Sequence, residues 1–225
     1  MLVLVVDSST PAVTAALAEV SDHRVACRAQ RTAVDARAHG ELLAPQVDAV
    51  LTEAGVRPTE LTAIVAGLGP GPFTGLRVGL VTAATMGQAL GIPSYGVCSL
   101  DGIGAPAAGG DPVLVATDAR RREIYWAIYD SAGRRLVGPE VGAPAEVAAR
   151  ARDLGATVAV GDGAHRYADT LGLPLRDEPR FPVATALVEL AAERIRSGAA
   201  SEQLTPLYLR RPDAVAASTR KPVLR

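Results

Sequence analysis

Apolar residues open the chain without interruption: Leu2, Val3, Leu4, Val5 and Val6 run straight into Asp7-Ser8-Ser9-Thr10-Pro11. A short β-branched and leucine run with no polar alternation is the pattern of a strand covered on both faces. The oxygen-rich segment after it reads as a turn. Further strands are predicted through Val13, Ala15 and Leu17 and from Val25 to Gln30. The same order returns from residue 112. Pro112–Thr117 runs into Asp118, a turn follows, Ile124–Tyr129 supplies a second strand, and Asp130–Gly133 turns the chain again. Strand, aspartate, turn, strand, turn occurs twice, which predicts two related lobes; the bland alternative is two unrelated hairpins.

Between the hairpins the hydrophobic period lengthens. From His39 to Ala54 the residues Leu42, Leu43, Val47, Val50, Leu51 and Ala54 share one helical stripe, with Glu41, Asp48 and Glu53 off it. Pro45 removes a backbone donor inside this stretch and predicts a kinked or separate first turn; Gly55 ends the helix. Leu61–Leu68 reads as a buried strand, Thr74 as the cap of a helix reaching about Leu90, Ile92–Val97 as a strand and Ala184–Arg196 as a late helix. Alternating strands and helices give an α/β class. The expected organisation is an N-terminal lobe over 1–103, a smaller C-terminal lobe over 104–211 with the late helix packing back, and a loose tail over 212–225.

Composition narrows the chemistry. The 225 residues carry 23 basic and 24 acidic side chains for a formal net charge of −1, which argues against a dedicated polyanion binder. Lys221 is the only lysine and asparagine is absent, so a P-loop lysine, a buried Schiff-base lysine and N-glycosylation are excluded. Cys27 and Cys98 form no CxxC pair, His23, His39 and His165 have no metal-ligand spacing, and no GxSxG elbow exists. No metal, no cofactor and no catalytic residue is expected. The N-terminus lacks the basic flank of a signal peptide, and the uncharged stretch 78–100 is spoiled as a membrane span by Gly79, Gln88, Gly91, Pro93, Ser94 and Gly96. A reducing cytoplasm is the expected location.

Asp7 with Ser8, Ser9 and Thr10 could hold a hydrated metal and phosphate, or simply close a hairpin. Arg120-Arg121-Arg122 either touches a phosphate backbone or forms a solvated turn beside Asp118 and Glu123. GLGPGPFTGLRVG at 67–79 lies between strand and helix, where glycine loops cradle phosphates. Pro70 and Pro72 have no N–H to offer, however, and favour a stiff structural turn. From Leu61 to Leu100 the single formal charge is Arg77, and Gly79, Ala83 and Gly87 repeat every four residues. Such a row lets another helix approach closely, from the same domain or from a partner. A partner interface is expected on Leu42, Leu43, Val47, Val50 and Leu51 of the first helix and on Leu76, Gly79, Leu80, Ala83 and Gly87 of the second. On that expectation Ala83→Arg separates the partners and leaves the monomer folded.

Five segments carry a resemblance. LVLVVDSST at the start, HGELLAP at 39–45, GPGPFTGLRVG at 69–79, DARRREIYWAIYD at 118–130 and PLYLR at 206–210, in this order along nearly the whole chain, resemble the TsaB (YeaZ) family. The resemblance implies the fold of actin, Hsp70 and the sugar kinases, with two RNase H-like lobes. It implies a role in placing threonylcarbamoyl on adenosine 37 of tRNAs that read ANN codons. There TsaC-type enzymes make threonylcarbamoyl-adenylate, TsaD transfers the group to tRNA and TsaE supplies an ATPase. TsaB is the non-catalytic paralogue of TsaD: it binds TsaD as a scaffold, helps to recruit TsaE, meets tRNA through the complex and forms a homodimer when alone. Under this resemblance Asp7, Ser8, Ser9, Thr10 and Asp118 are vestiges of a nucleotide site. TsaD relatives hold iron or zinc through an HxxxH pair; after Val97 this chain reads CSLDGIGAPAAG, with no histidine. Gly40, Pro72 and Arg121-Arg122 depart locally from the family pattern. The rival reading is a small Mg-nucleotide-dependent phosphotransferase of the sugar- or acetate-kinase kind, using Asp7 and Asp118. Val160-Gly161-Asp162-Gly163 is its only candidate adenosine loop.

Overall fold

A computed structural model describes residues 1–210 of the protein; the expected tail over 212–225 lies outside the described residues. The strands β1 (Leu2–Asp7), β2 (Ala12–Val20), β3 (Val25–Val34), β4 (Ala63–Gly67) and β5 (Ser94–Val97) form a sheet in the order β3-β2-β1-β4-β5. A second sheet takes β6 (Val113–Asp118), β7 (Ile124–Tyr129), β8 (Arg135–Gly142) and β9 (Val158–Val160) in the order β8-β7-β6-β9. The senses match as well as the order: β1 is antiparallel to β2 and parallel to β4, and β6 is antiparallel to β7 and parallel to β9. The repeated strand, aspartate and hairpin is therefore a repeated architecture, to which the first sheet adds β5.

Alternation along β1 explains why an unbroken apolar run is required. Leu4 and Val6 face a core shared with helix α1 (His39–Ala54) and helix α2 (Phe73–Leu90). Val3 and Val5 face the other way, onto Ala184, Leu187, Val188 and Ala191 of a late helix over Ala184–Arg196. Each fully buried Val or Leu contributes about 1.5–3 kcal/mol, so one polar residue on either face would be felt. The second sheet is covered in the same way. Val113 and Val115 pack on Ile103 of helix α3 (Asp101–Ala107), and Leu114 and Ala116 pack on Val147 and Ala151 of helix α4 (Pro144–Asp153). No helix among the described residues is long and apolar enough to cross a membrane.

Two expectations are corrected. Helix α1 runs unbroken through Pro45, because the proline ring is exposed and the carbonyl four residues back, at exposed Glu41, can turn to water. More consequential is the stripe assigned to a partner. Leu43, Val47, Val50, Leu51, Leu76, Leu80 and Ala83 are buried in the protein's own core, and Leu42 packs half-buried against it. A Cβ on Gly79 would meet Ser8 Oγ at 2.5 Å, and one on Gly87 would meet Ser94 Oγ at 2.4 Å. The small-residue row does permit close approach, but what approaches is the β1–β2 turn and β5 of the same chain. These side chains form no exposed face.

The edge of β5 is covered by the segment that follows the late helix. The Ser94 carbonyl accepts from the Glu202 N–H (2.9 Å), the Gly96 N–H donates to Glu202 Oε2 (3.0 Å), and Arg194 pairs with the same carboxylate (2.7 Å). A strap pinned in this way satisfies an otherwise open strand edge. It continues to the Leu207 N–H, which donates to the Leu68 carbonyl (2.9 Å), and so delivers Tyr208 beside α2.

Candidate functional site

The turn after β1 is closed by its own side chains. Asp7 Oδ1 accepts from the Ser9 N–H (3.0 Å) and Ser9 Oγ (2.8 Å), and Asp7 Oδ2 accepts from Ser99 Oγ (2.6 Å). Ser8 Oγ donates to the Gly75 carbonyl (2.7 Å) and accepts from the Gly79 N–H (2.9 Å), tying the turn to the first turns of α2. Thr10 Oγ1 accepts from the Ala12 N–H (3.2 Å), and the Thr10 carbonyl is hydrogen-bonded to His39 Nε2 (2.8 Å). All four turn residues are buried. Burial raises the pKa of Asp7, while the bonds from Ser99 and Ser9 pull it back down. Of the two readings of this segment, the geometry is that of a hairpin closure.

Asp118 ends β6 as Asp7 ends β1, but its surroundings differ. Its carboxylate pairs with Arg166 (3.2 Å) and lies 3.9 Å from Arg120. Nearby, Thr117 Oγ1 and Asp162 Oδ1 are buried with no hydrogen-bond partner among the described residues. Burial, reinforced by the Asp118 charge, pushes the Asp162 carboxyl up to about 6. A carboxyl with a raised folded pKa holds its proton better in the native than in the unfolded state. Stability from this group is therefore lost as pH rises from about 3.8 through about 6, and the penalty is complete above that. We expect Asp162→Asn to stabilise the protein by about 2 kcal/mol near pH 8 and by nothing near pH 3.5. Urea titrations of both forms across this range check it; equal stability at both ends would overturn it.

The glycines of the candidate adenosine loop are consumed by packing. A Cβ on Gly161 would lie 2.2 Å from the Ala116 carbonyl oxygen, and one on Gly163 would lie 2.6 Å from the Thr117 carbonyl carbon. Only glycine lets helix α5 (Asp162–Arg166) start against the end of β6. The metal of TsaD-type relatives does not fit this chain either. Where the histidine pair would fall, the Cys98 thiol is held neutral, pushed up to about 11 by burial, and Asp101 is engaged by Tyr129 Oη (2.8 Å) and Arg135 (2.9 Å). Among the described residues no three His, Cys, Asp or Glu side chains gather to hold an ion.

One arrangement was not predicted from the sequence. Between the lobes a cavity of about 600 Å³ is lined by Phe73, Arg77, Arg120, Arg121, Tyr208 and Arg210, among others. The Phe73 and Tyr208 rings stack at 5.3 Å, Arg77 lies 3.9 Å over the Phe73 ring and its Nε donates to Tyr208 Oη (2.8 Å). The available signal was Arg77, the single formal charge between Leu61 and Leu100, one helical turn from Phe73.

A family profile described as TsaD, tRNA N6-adenosine threonylcarbamoyltransferase, matches residues 31–179. The tRNA threonylcarbamoyladenosine biosynthesis protein TsaB of Escherichia coli is 33% identical over 227 residues, covering 93% of this chain and 95% of that protein. An uncharacterised protein of Mycobacterium tuberculosis is 49% identical over 212 residues, covering 94% of this chain and 93% of the relative. Among solved structures, YeaZ from Pseudomonas aeruginosa superposes with a TM-score of 0.73 at 29% identity, covering 92% of this chain and 99% of that one.

Proposed function

Because the chain belongs to the TsaB (YeaZ) family, we propose that it acts in threonylcarbamoyladenosine biosynthesis as a non-catalytic subunit pairing with a TsaD-type paralogue. In this reading it helps to recruit a TsaE-type ATPase, reaches tRNA within the assembly and forms a homodimer when alone. The observation that carries the pairing is the outward face of α2. Val81 is 61% exposed, and Ala84, Thr85, Gln88 and Ala89 beside it are exposed and uncharged. A groove of about 990 Å³ continues this face, with Leu80, Ile92, Leu204 and Pro206 in its walls. An uncharged helix face of mostly small residues beside an apolar groove suits another helix, and a standard interface of roughly 1,600 Å² in total would cover both. In this reading the partner side of α2 is the face that carries Val81, Ala84 and Gln88, turned away from the core contacts of Gly79 and Ala83.

The non-catalytic assignment is supported by what Asp7 and the loop glycines already do: they close and pack the chain. A kinase-like phosphotransfer would need Asp7 released from Ser9 and Ser99 and a nucleotide loop free of its own backbone contacts, and neither condition is met here.

Depleting the protein is expected to lower the threonylcarbamoyladenosine content of ANN-reading tRNA, with the wild-type chain restoring it. Nucleoside analysis reads this directly, and undiminished modification would overturn the role. Val81→Arg is expected to melt as the wild type does while losing both the homodimer and co-purification with the TsaD-type partner. Val81→Arg that still dimerises and captures the partner moves the interface elsewhere.

A further inference from the structure

Positive charge gathers at one place in a chain whose formal net charge is −1. Arg120, Arg121 and Arg122 follow the end of β6, Arg166 ends α5, and Arg77 and Arg210 line the same cavity wall as Arg120 and Arg121. Asp118 ties the group together from a buried position, with Arg166 at 3.2 Å and Arg120 at 3.9 Å, and Glu123 pairs with Arg210. Even with Asp162 counted as an anion, six guanidinium groups in this cluster meet three carboxyl groups. Arginine is nearly the only basic residue of the chain, so its identity says nothing by itself. Its clustering does, because a local excess of one sign attracts a polyanion even where the net charge is near zero.

The backbone points the same way. Among the described residues, Arg120, Arg121 and Arg122 are the only side-chain-bearing residues with positive φ, at 62°, 52° and 61°. In this left-handed region a Cβ crowds the following carbonyl, and glycine is the residue that fits without strain. The turn is fixed all the same. The Arg120 N–H donates to Asp118 Oδ1 (3.3 Å), the Ala119 N–H to the Glu123 carbonyl (3.0 Å), the Glu123 N–H to the Arg120 carbonyl (3.0 Å) and Arg210 to the Ala119 carbonyl (3.1 Å). A helical turn of either hand rotates successive side chains by about 100°, so the three guanidinium groups fan outward instead of crowding one side. All three residues are exposed. Strained positions of this kind cluster where a ligand is held.

The rings beside the turn serve the charge. Arg77 lies 3.9 Å over the Phe73 ring and its Nε donates to Tyr208 Oη (2.8 Å), while Arg166 lies 5.8 Å from the centre of the Tyr167 ring. A guanidinium held on an aromatic face has little freedom left to lose, and it keeps further N–H groups for a second partner. Arg77 on the first lobe and Arg166 on the second are fixed in this way. Planar forks presented in several directions suit a backbone that carries an anion at every residue. A peptide would need several adjacent carboxylates to match them. Contacts of this sort position a nucleic acid without reading its sequence.

We propose that the arginine turn at 120–122, extended by Arg166 and Arg77, docks the phosphate backbone of the tRNA that is modified, so that this chain touches the substrate directly and not only through its partner. The inference rests on the reading of the chain as a subunit in threonylcarbamoyladenosine biosynthesis. It belongs to this chain in particular, since Arg121-Arg122 depart from the TsaB pattern. Titration of the complex with the TsaD-type partner by an ANN-reading tRNA transcript, at several salt concentrations, tests it. Two double variants remove the charge: Arg121→Gln with Arg122→Gln, and Arg121→Gly with Arg122→Gly. Each is expected to weaken tRNA binding by roughly tenfold or more near 0.1 M salt and to make the slope of log K against log salt shallower by about 1.4–1.8, the share of two phosphate contacts. The glycine pair is expected to melt above the glutamine pair, because glycine relaxes the turn. Arg28→Gln, on the outer strand β3 of the first sheet, should change tRNA affinity less than twofold. Wild-type tRNA affinity in both double variants overturns the proposal, as does the absence of tRNA binding by the wild-type complex. An equal loss from Arg28→Gln overturns it too, leaving only a general effect of charge. Double variants that no longer hold the TsaD-type partner would assign the surface to a protein and overturn it as well. Modification that falls on depletion, beside wild-type tRNA affinity in both double variants, would sink this inference and leave the subunit role standing.

Discussion

Ala83→Arg is expected to unfold the protein, not merely to separate it from a partner. Ala83 is fully buried between α2 and the first sheet, in the cluster that holds Leu4, Val6 and Leu76. An arginine there would need a cavity that the packed interior lacks, and its charge would lie among apolar groups with no counter-ion. Breaking a buried pair, which also strands one charge, costs roughly 3–5 kcal/mol, and overpacking adds about 1–3 kcal/mol. Against a typical total stability of about 5–15 kcal/mol, most of the native population is lost. Circular dichroism of purified Ala83→Arg beside Val81→Arg decides the matter. The two positions lie on the same helix on opposite faces, so a folded Ala83→Arg protein would mean that α2 is turned around from the orientation described here.

Gly67→Ala carries the other large effect. A Cβ at Gly67 would stand 1.7 Å from Asp7 Oδ2 and 2.6 Å from Ser99 Oγ. Neither is the loose end of a flexible side chain: Asp7 is held through both oxygens, and Ser99 Oγ also accepts from the Gly69 N–H (3.1 Å). The methyl group must break this network, leaving a buried carboxyl short of donors. Overpacking and a lost charge-assisted bond together cost about 3–5 kcal/mol. For a chain of this size that is a fall in melting temperature of roughly 6–20 °C. Thermal melts followed by calorimetry check it, and a fall of less than about 2 °C would show that the Asp7 turn is not the rigid joint assigned to it.

Much of the fold was legible because its determinants are local. An unbroken apolar run as short as Leu2–Val6 reads as a strand covered on both faces, and Val113–Thr117 repeats it; the repeat announced two related lobes, while the order and sense of the strands came only with the structure. The stripe on α1 was equally plain. Segments without such a signal were not read. β8, half-buried along most of its length, acquires its place only by packing on β7, and α4 escaped notice because its buried stripe, though at helical spacing over Pro144, Val147, Ala148 and Ala151, is made mostly of small residues.

The site shows the boundary most clearly. Residue types were enough to exclude a lysine-based phosphate loop, a histidine metal pair and a serine elbow, since chemistry cannot proceed without the groups that perform it. The small-residue row of α2 announced a close approach, but sequence periodicity is the same whether the neighbour is the chain's own turn or another molecule. Only the tertiary arrangement chose, by placing Ser8 and Ser94 against Gly79 and Gly87 and turning Val81 outward. The arginine-and-aromatic cavity was beyond reach for a related reason. Arg77 and Tyr208 are separated by 131 positions, and no local pattern relates them. They meet because the strap is pinned to the edge of β5, and that pinning joins residues far apart in the chain: the Glu202 N–H on the Ser94 carbonyl, the Glu202 carboxylate on the Gly96 N–H, and Arg194 on that carboxylate.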